Sequence, residues 1–327
     1  MYGRKSVPAK RSAVQPSYPV VFFVNGIGDH LMALPAIRAL AEHFGGRMSL
    51  LCHGGAAASV FAGLPIRKIT SIRFSSIPQG IGFDAAKTAR AIGKCDLFVG
   101  LTPWISPSLS RLLQLLHPSV SIGFFPEFDR HVAFSTSVHA ADAAMSLVRQ
   151  IVPGNPKVER YWGAPEVSSR GRQWARSVRK HLPADARIVA VHTDTKFRRR
   201  WPIARWEQLL RQLLAFDDRL YLFVHGMQQT RLDHLRHERV ISCKGLPLES
   251  AISLVCQSDY FLGIDSCFLH AADLADVPGL GLFGPSDPRE FGFRNSLGQH
   301  IRFSRRMKDI SVDAVYRQFT ALLASGQ

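Results

Sequence analysis

The sequence is short of acidic residues, of paired cysteines and of long apolar runs, and each shortage excludes something. Asp and Glu total 25 against 41 Lys and Arg, a formal net charge of +16. So basic a chain favours anionic partners: nucleic acid, phosphorylated small molecules or an anionic membrane face. Apolar runs such as Val20–Val24 stop far short of the roughly 20 residues a membrane-spanning helix needs. The five cysteines, Cys52, Cys95, Cys243, Cys256 and Cys267, are odd in number and contain no C-x-x-C pair. That argues against a zinc site or a disulfide framework and for a reducing cytoplasm, with most of these thiols acting as small core residues. No D-x-D occurs, so a metal-bridged diphosphate is not suggested and no metal site is expected. Residues Met1–Ser17 are basic but have no apolar core after the charges, so they read as a disordered basic tail rather than a secretory signal.

What is present is ordinary globular composition, 46% hydrophobic and 20% charged, in a length suited to about two domains. Short β-rich runs alternate with helix-like stretches in both halves. The first half offers strands at Val20–Val24, Met48–Cys52, Ile69–Phe74, Leu97–Leu101 and Ser121–Phe125. The second offers Ile188–His192, Tyr221–His225, Val240–Ser242, Tyr260–Ile264 and Gly279–Phe283. These runs are apolar without alternation, which suits parallel strands covered on both faces. Amphipathic stretches at Ile37–Phe44, Ala204–Phe216 and Pro247–Gln257 supply crossover helices. Pro153–Pro156 and the polar stretch around Gly163–Arg172 separate the two series. The expected fold is therefore α/β: two doubly wound parallel-sheet domains, 18–165 and 166–310, facing a cleft. A final helix falls within 311–327 and could pack on either domain. Ligands in such folds sit beyond the carboxyl ends of the strands.

Three loops fall at those ends. Asn25-Gly26-Ile27-Gly28-Asp29-His30 follows the first strand. Its glycines permit close backbone approach, and the following helix either starts near Pro35 or bends there. Asp29 can cap that helix, or act as a general base on a substrate hydroxyl. Lys196-Phe197-Arg198-Arg199-Arg200-Trp201 follows the strand ending at His192; four cations in five residues suit a diphosphate, against the plainer reading of a solvated charged loop. Trp201 and Trp206 read as packing residues. In Gly263-Ile264-Asp265-Ser266-Cys267-Phe268-Leu269-His270 a strand again ends in Gly-Asp and a helix begins, so the amides of Ser266, Cys267 and Phe268 form a candidate anion site. Phe283-Gly284-Pro285-Ser286-Asp287-Pro288 forms either a tight turn or a further wall at the same edge. His117, Arg130, His131 and Trp104 are candidates for acceptor contact or simple surface residues.

In order and spacing these segments resemble glycosyltransferase family 9, the ADP-heptose:lipopolysaccharide heptosyltransferases with the two-Rossmann GT-B fold. Gly26-Ile27-Gly28-Asp29 through Leu34-Pro35-Ala36-Ile37-Arg38-Ala39-Leu40 resembles the family's Leu-Gly-Asp opening. Arg199-Arg200-Trp201-Pro202 resembles its Lys-x-Trp-Pro loop. Gly263–Ala272 and Phe283–Pro288 resemble Asp-Thr-Gly-x-x-His-x-Ala and Gly-Pro-Thr-Asp-Pro. The resemblance implies inverting sugar transfer from a nucleotide-diphosphate donor, with ADP-heptose as the family's own donor and no cofactor besides. Asp29 takes the place of the proposed base and Arg199 that of the cation on the leaving diphosphate. Asp265, Ser266, Cys267, Phe268 and His270, with Lys196, Arg198 and Arg200, frame the donor, while Asn25, Gly26, Gly28 and His30 face the acceptor. The implied acceptor is an anionic glycolipid or phosphorylated glycan, reached from the cytoplasm with peripheral contact at the inner membrane face. Ser266 stands for the family threonine, Cys267 for its glycine and Arg199 for its lysine. His225-Gly226-Met227-Gln228-Gln229-Thr230 lacks the acidic residue often found near the donor's nucleoside. Those departures motivate a second reading, a non-catalytic or donor-switched protein that binds a nucleotide sugar. An NAD-type oxidoreductase is disfavoured because Leu31 replaces the third glycine of G-x-G-x-x-G. Nucleic-acid binding rests on charge alone and is not expected.

Overall fold

The computed structural model describes residues 16–77, 80–226, 232, 235–295 and 297–325. Most of the basic tail, to residue 15, and residues 227–230 lie outside the described residues.

Two six-stranded sheets form, and every strand pairing within them is parallel. The first is built from β1 (Pro19–Phe23), β2 (Ser49–His53), β3 (Lys68–Ile72), β6 (Leu97–Gly100), β7 (Val120–Gly123) and β8 (Arg130–His131), in the order β3-β2-β1-β6-β7-β8. A small antiparallel ribbon, β4 (Ser75–Ile77) with β5 (Gly80–Gly82), stands beside it. The second sheet takes β9 (Arg187–His192), β10 (Leu220–His225), β11 (Val240–Ser242), β12 (Tyr260–Ile264), β13 (Gly279–Leu282) and β14 (Gly298–Ile301), in the order β11-β10-β9-β12-β13-β14. Both orders reverse direction at their centre, between β1 and β6 and between β9 and β12. A crevice opens at such a switch point, and the loops after β1, β9 and β12 are the three singled out by sequence. The central strands β1, β6 and β12 are buried along their whole length, as strands covered on both faces must be.

The helices of the first half are α1 (Ile27–Met32), α2 (Leu34–Phe44), α3 (Gly54–Val60), α4 (Ala85–Ile92), α5 (Pro107–Leu116) and α6 (Ala140–Val148). Those of the second are α7 (Ser169–Lys180), α8 (Ile203–Phe216), α9 (Leu248–Cys256), α10 (Cys267–Leu274), α11 (Pro288–Phe291) and α12 (Val312–Ser325). A helix does start near Pro35: α1 ends at Met32 and α2 begins at Leu34 with Pro35 in its first turn, where a missing N–H costs nothing. Gly45, at φ +56°, ends α2 in the left-handed cap that favours glycine. The final helix packs on α8 and β13, sharing the second sheet's core through Val315, Phe319 and Leu323. The sequence reading omits β8 and β14, because one is two exposed residues and the other, Gly-Gln-His-Ile, carries almost no apolar signal.

The two halves share more than a cleft. One hydrophobic cluster runs from Leu31, Leu34 and Phe61 through to Phe268, Leu269 and Phe293. Around it Arg294 reaches from the second half to Asp142 at 3.0 and 3.1 Å and to Glu159, and His139 Nε2 meets the Gly292 carbonyl at 3.0 Å. Arg38, within the opening motif, donates to the carbonyls of Tyr161, Gly163 and Ala164, so it pins the connecting segment rather than a ligand.

Candidate active site

Asp29 sits in the first turn of α1. Its Oδ2 accepts the Gly26 N–H at 3.0 Å, closing the loop onto the helix start. The carboxylate is therefore a cap, and it also lines a cavity of about 230 Å³ at the cleft. Burial raises its pKa; the Gly26 amide and the charges of Lys196 and Arg199 pull against that, and Asp265 adds to it. A carboxylate held above its usual range is a better proton acceptor.

Gly28 sets how closely the domains meet. A Cβ there would lie 3.2 Å from the His270 ring and 3.6 Å from the Cys267 amide, so the bare backbone of Gly28 lets α1 settle closely against α10. Gly26, by contrast, is ordinary extended backbone at φ −69°. The contact at Gly28 brings the first and third sequence motifs together.

Across the cleft Asp265 is 2% exposed, and Arg199 Nη1 meets its Oδ2 at 2.8 Å. Burial pushes the Asp265 pKa up, while Arg199, the Ser286 hydroxyl and Lys196 hold it down. Arg200 is taken up structurally: its Nε lies 2.7 Å from Asp194 Oδ1 and donates to the Thr195 carbonyl. Lys196 and Arg198 are exposed at the loop tip beside Phe197, 84% exposed. Trp201 and Trp206 pack edge to face at 5.0 Å in the core, as their sequence context implied.

The α10 start differs from a bare anion nest. The Ser266 hydroxyl is buried with no partner among the described residues. Burial pushes the Cys267 thiol's pKa up to about 11, with the amides of Cys267 and Phe268 pulling the other way, so it stays a neutral thiol beside the α10 start. His270 is buried, with Nε2 3.9 Å from Asp265 Oδ1 and its pKa lowered to about 3 by burial and by the nearby charges of His139 and Arg199. It is a neutral wall of the site.

A second cavity, about 630 Å³, opens beyond the ends of β9 and β10 and is lined by His192, Asp194, Arg200, His225, Lys244 and Phe268 among others. His192 and His225 flank the Phe268 ring at 4.8 and 5.0 Å, and their Nδ1 and Nε2 respectively are buried without partners among the described residues. In sequence each histidine is the last residue of an apolar strand, and neither is singled out there as a site residue, although His225 opens the loop compared with the family's nucleoside segment. Their position at a strand's carboxyl end was the available signal.

His30 departs from expectation. It is wholly buried, with Nδ1 2.6 Å from the Gly26 carbonyl, Nε2 3.1 Å from that of Phe23, and the Phe23 and Phe61 rings around it. It braces the loop from the core side, because the first turn of α1 points position 30 inward while position 29 faces out. Asn25 does reach the cleft: the Trp104 indole N–H donates to its Oδ1 at 2.6 Å. Glu290 and Phe291, from the short α11, also line the cavity around Asp29 and were not foreseen. Arg130 lines a different hollow with Pro16 and Gln150, and His131 is exposed. His117 caps α5 at φ +43°.

Among the described residues no helix is long and apolar enough to cross a membrane. Solved structures similar to the chain include the glycosyl transferase family 9 protein of Veillonella parvula DSM 2008 (15% identity, TM-score 0.75, covering 94% of this chain and 98% of that one). ADP-heptose lps heptosyltransferase II of E. coli follows at 15% identity and TM-score 0.72, covering 94% and 99%. E. coli heptosyltransferase WaaC with ADP stands at 16%, TM-score 0.69, 93% and 99%. At such identities the likeness shows the two-domain GT-B fold. No curated protein matches the chain. Residues 124–315 match the profile of glycosyltransferase family 9 (heptosyltransferase), and that stretch holds the Arg199, Asp265 and His270 loops. Since it spans more than half of the 327 residues, this chain belongs to glycosyltransferase family 9, a family of sugar-transferring enzymes.

Proposed function

We propose that the protein transfers a glycosyl group, a heptose or a related sugar, from a nucleotide-diphosphate donor to an acceptor hydroxyl with inversion. The observation that carries this reading is the meeting of Asp29 with the Arg199–Asp265 pair across the Gly28–α10 contact. The nucleoside occupies the 630 Å³ cavity, with its base against Phe268 and within reach of the free nitrogens of His192 and His225. ADP, present in the WaaC structure, is a candidate nucleotide here. The diphosphate lies at the α10 start, where Arg199, Lys196 and the Ser266 hydroxyl meet its charge.

In the reaction the acceptor oxygen attacks the anomeric carbon from the Asp29 side. The bond from that carbon to the diphosphate breaks, its electron pair leaves with the diphosphate, and the hydroxyl proton passes to Asp29. Charge grows on the leaving oxygens as the bond breaks, so preorganised cations there stabilise the transition state by several kcal/mol. Arg199 is itself held by Asp265, which fixes the guanidinium at the mouth of the site. The acceptor belongs to a glycan such as the lipopolysaccharide core, its remote anionic groups meeting the basic surface on the cytoplasmic side of the inner membrane.

Asp29→Asn tests this. The variant should keep nucleotide-sugar binding, seen as thermal stabilisation by ADP-, UDP- or GDP-linked sugars, and lose roughly 10²–10⁴-fold in kcat. Near-normal turnover would remove Asp29 from the base role. The Cys267 thiol beside the α10 start favours a second reading, a donor-switched or non-catalytic nucleotide-sugar binder. Donor binding without turnover of any glycosyl group in the unmutated protein would select it.

A further inference from the structure

The 230 Å³ cavity beside Asp29 has walls unlike the rest of this basic molecule. Ten of its thirteen lining residues are apolar, Phe23, Phe124, Phe134 and Phe291 among them, and none is cationic. Its two ionisable residues are both carboxylates, Asp29 from one half and Glu290 from the other. An anion entering here would lose its hydration and face two like charges, with no cation among the lining residues. A cation would pair with Asp29 and block the proton it has to accept. The size is also informative: an apolar cavity of about 150 Å³ takes benzene, so this one holds a single substituted ring.

The polar end of the cavity defines a functional group. Trp104 has only a donor to offer, so the Asn25 atom it meets at 2.6 Å is the amide oxygen. That fixes the amide –NH₂ as the free end of Asn25. A ligand oxygen placed between Asn25 and Asp29 therefore meets one donor and one acceptor. A hydroxyl satisfies both; a carboxylate or phosphate satisfies only the donor.

Resting on the sugar-transfer reading above, we infer that the acceptor presents to Asp29 an uncharged, ring-sized alcohol with an apolar face, seated in this cavity and oriented by Asn25. Any anionic groups of the acceptor lie outside it.

The test uses the full chain with saturating ADP and two probes of one shape, benzyl alcohol and benzoate, followed by ligand-observed NMR at millimolar concentration. Benzyl alcohol should bind, and benzoate at least tenfold more weakly. Ala140→Leu, which fills the cavity wall on α6, should abolish benzyl alcohol binding while ADP still stabilises the protein; that retained response shows that the variant is folded. Asn25→Asp, which swaps the donor for an acceptor, should weaken benzyl alcohol at least fivefold. Benzoate binding as tightly as benzyl alcohol, or benzyl alcohol binding that Ala140→Leu leaves unchanged, or none at all, would overturn the inference. Failure of ADP to bind while benzyl alcohol binds would strike the nucleotide reading and leave the cavity's assignment standing.

Discussion

At position 267 a single side chain changes what a loop can hold. The loop after β12 has helix-start amides, and the Cys267 side chain stands beside those of Cys267 and Phe268. On the proposed reading, a diphosphate oxygen approaching these amides meets that side chain. Cys267→Gly should therefore tighten ADP or UDP binding. A charge-assisted hydrogen bond freed in this way is worth about 1.5 kcal/mol, roughly tenfold in Kd. Titration calorimetry on both proteins reads it directly, and equal affinities would mean that the thiol swings aside without cost. The same residue is no reactive nucleophile, since burial pushes its pKa up to about 11. The other four cysteines are free and likewise raised, to between about 11 and about 12.

Between elements, the decisive contact is α1 on α10. It joins a loop from the first sheet to a helix from the second and places a carboxylate opposite a cation. Gly28→Ala would put a methyl 3.2 Å from the His270 ring, which is buried and has little room to retreat. The α1 loop must then shift by a few tenths of an ångström or more. Misplacement of a catalytic group on the scale of 1 Å costs about 10²-fold. Gly28→Ala should therefore lower kcat by roughly tenfold or more with only a small change in Tm, and a variant with unchanged kcat would show that the loop absorbs the methyl. The sequence made this loop legible as a motif, because Gly-Ile-Gly-Asp after an apolar strand marks a strand-to-helix turn. It did not show that Gly28 answers to His270, a residue 242 positions further on. Nor did it separate Asp29 from His30: one faces the cleft and the other the core because the first helical turn rotates them apart.

Across the whole molecule, buried histidines set the response to acid. His30 and His225 have pKa values lowered to about 4, and His192 and His270 to about 3, all chiefly by burial. In the unfolded chain each titrates near 6.5. As pH drops below that value the unfolded state takes up protons that the folded state refuses, so folded stability falls, down to the folded values of 3–4. Each histidine contributes up to about 1.4 kcal/mol per pH unit. Asp273 acts the other way. Burial raises its pKa to about 6, so the folded state gains its proton first and recovers some stability between pH 6 and its unfolded value. Asp29 and Asp265, also raised by burial, act in the same sense as Asp273, and buried His139, lowered to about 4, acts with the other histidines. The histidines start to titrate in the unfolded chain from about 6.5, so urea midpoints should fall from pH 6.5 to 5. A midpoint that stays flat or rises over that range would show these histidines to be hydrated in the native state.

Strand–helix alternation, near-continuous apolar runs and three loops at strand ends came from local pattern alone. Such patterns record burial on both faces and tight turns, which neighbouring residues determine. That Asp29, Arg199, Asp265 and Ser266 stand at loops beyond strand ends was legible for the same reason, since each stands in a short motif next to an apolar strand. Tertiary structure alone decided what meets what. It bent Arg200 onto Asp194, turned His30 inward, set His192 and His225 around Phe268, and brought Glu290 and Phe291 to a largely apolar pocket beside Asp29 with no cation in its lining. Those outcomes depend on distances between residues far apart in the chain, and only packing across the two sheets fixes such distances.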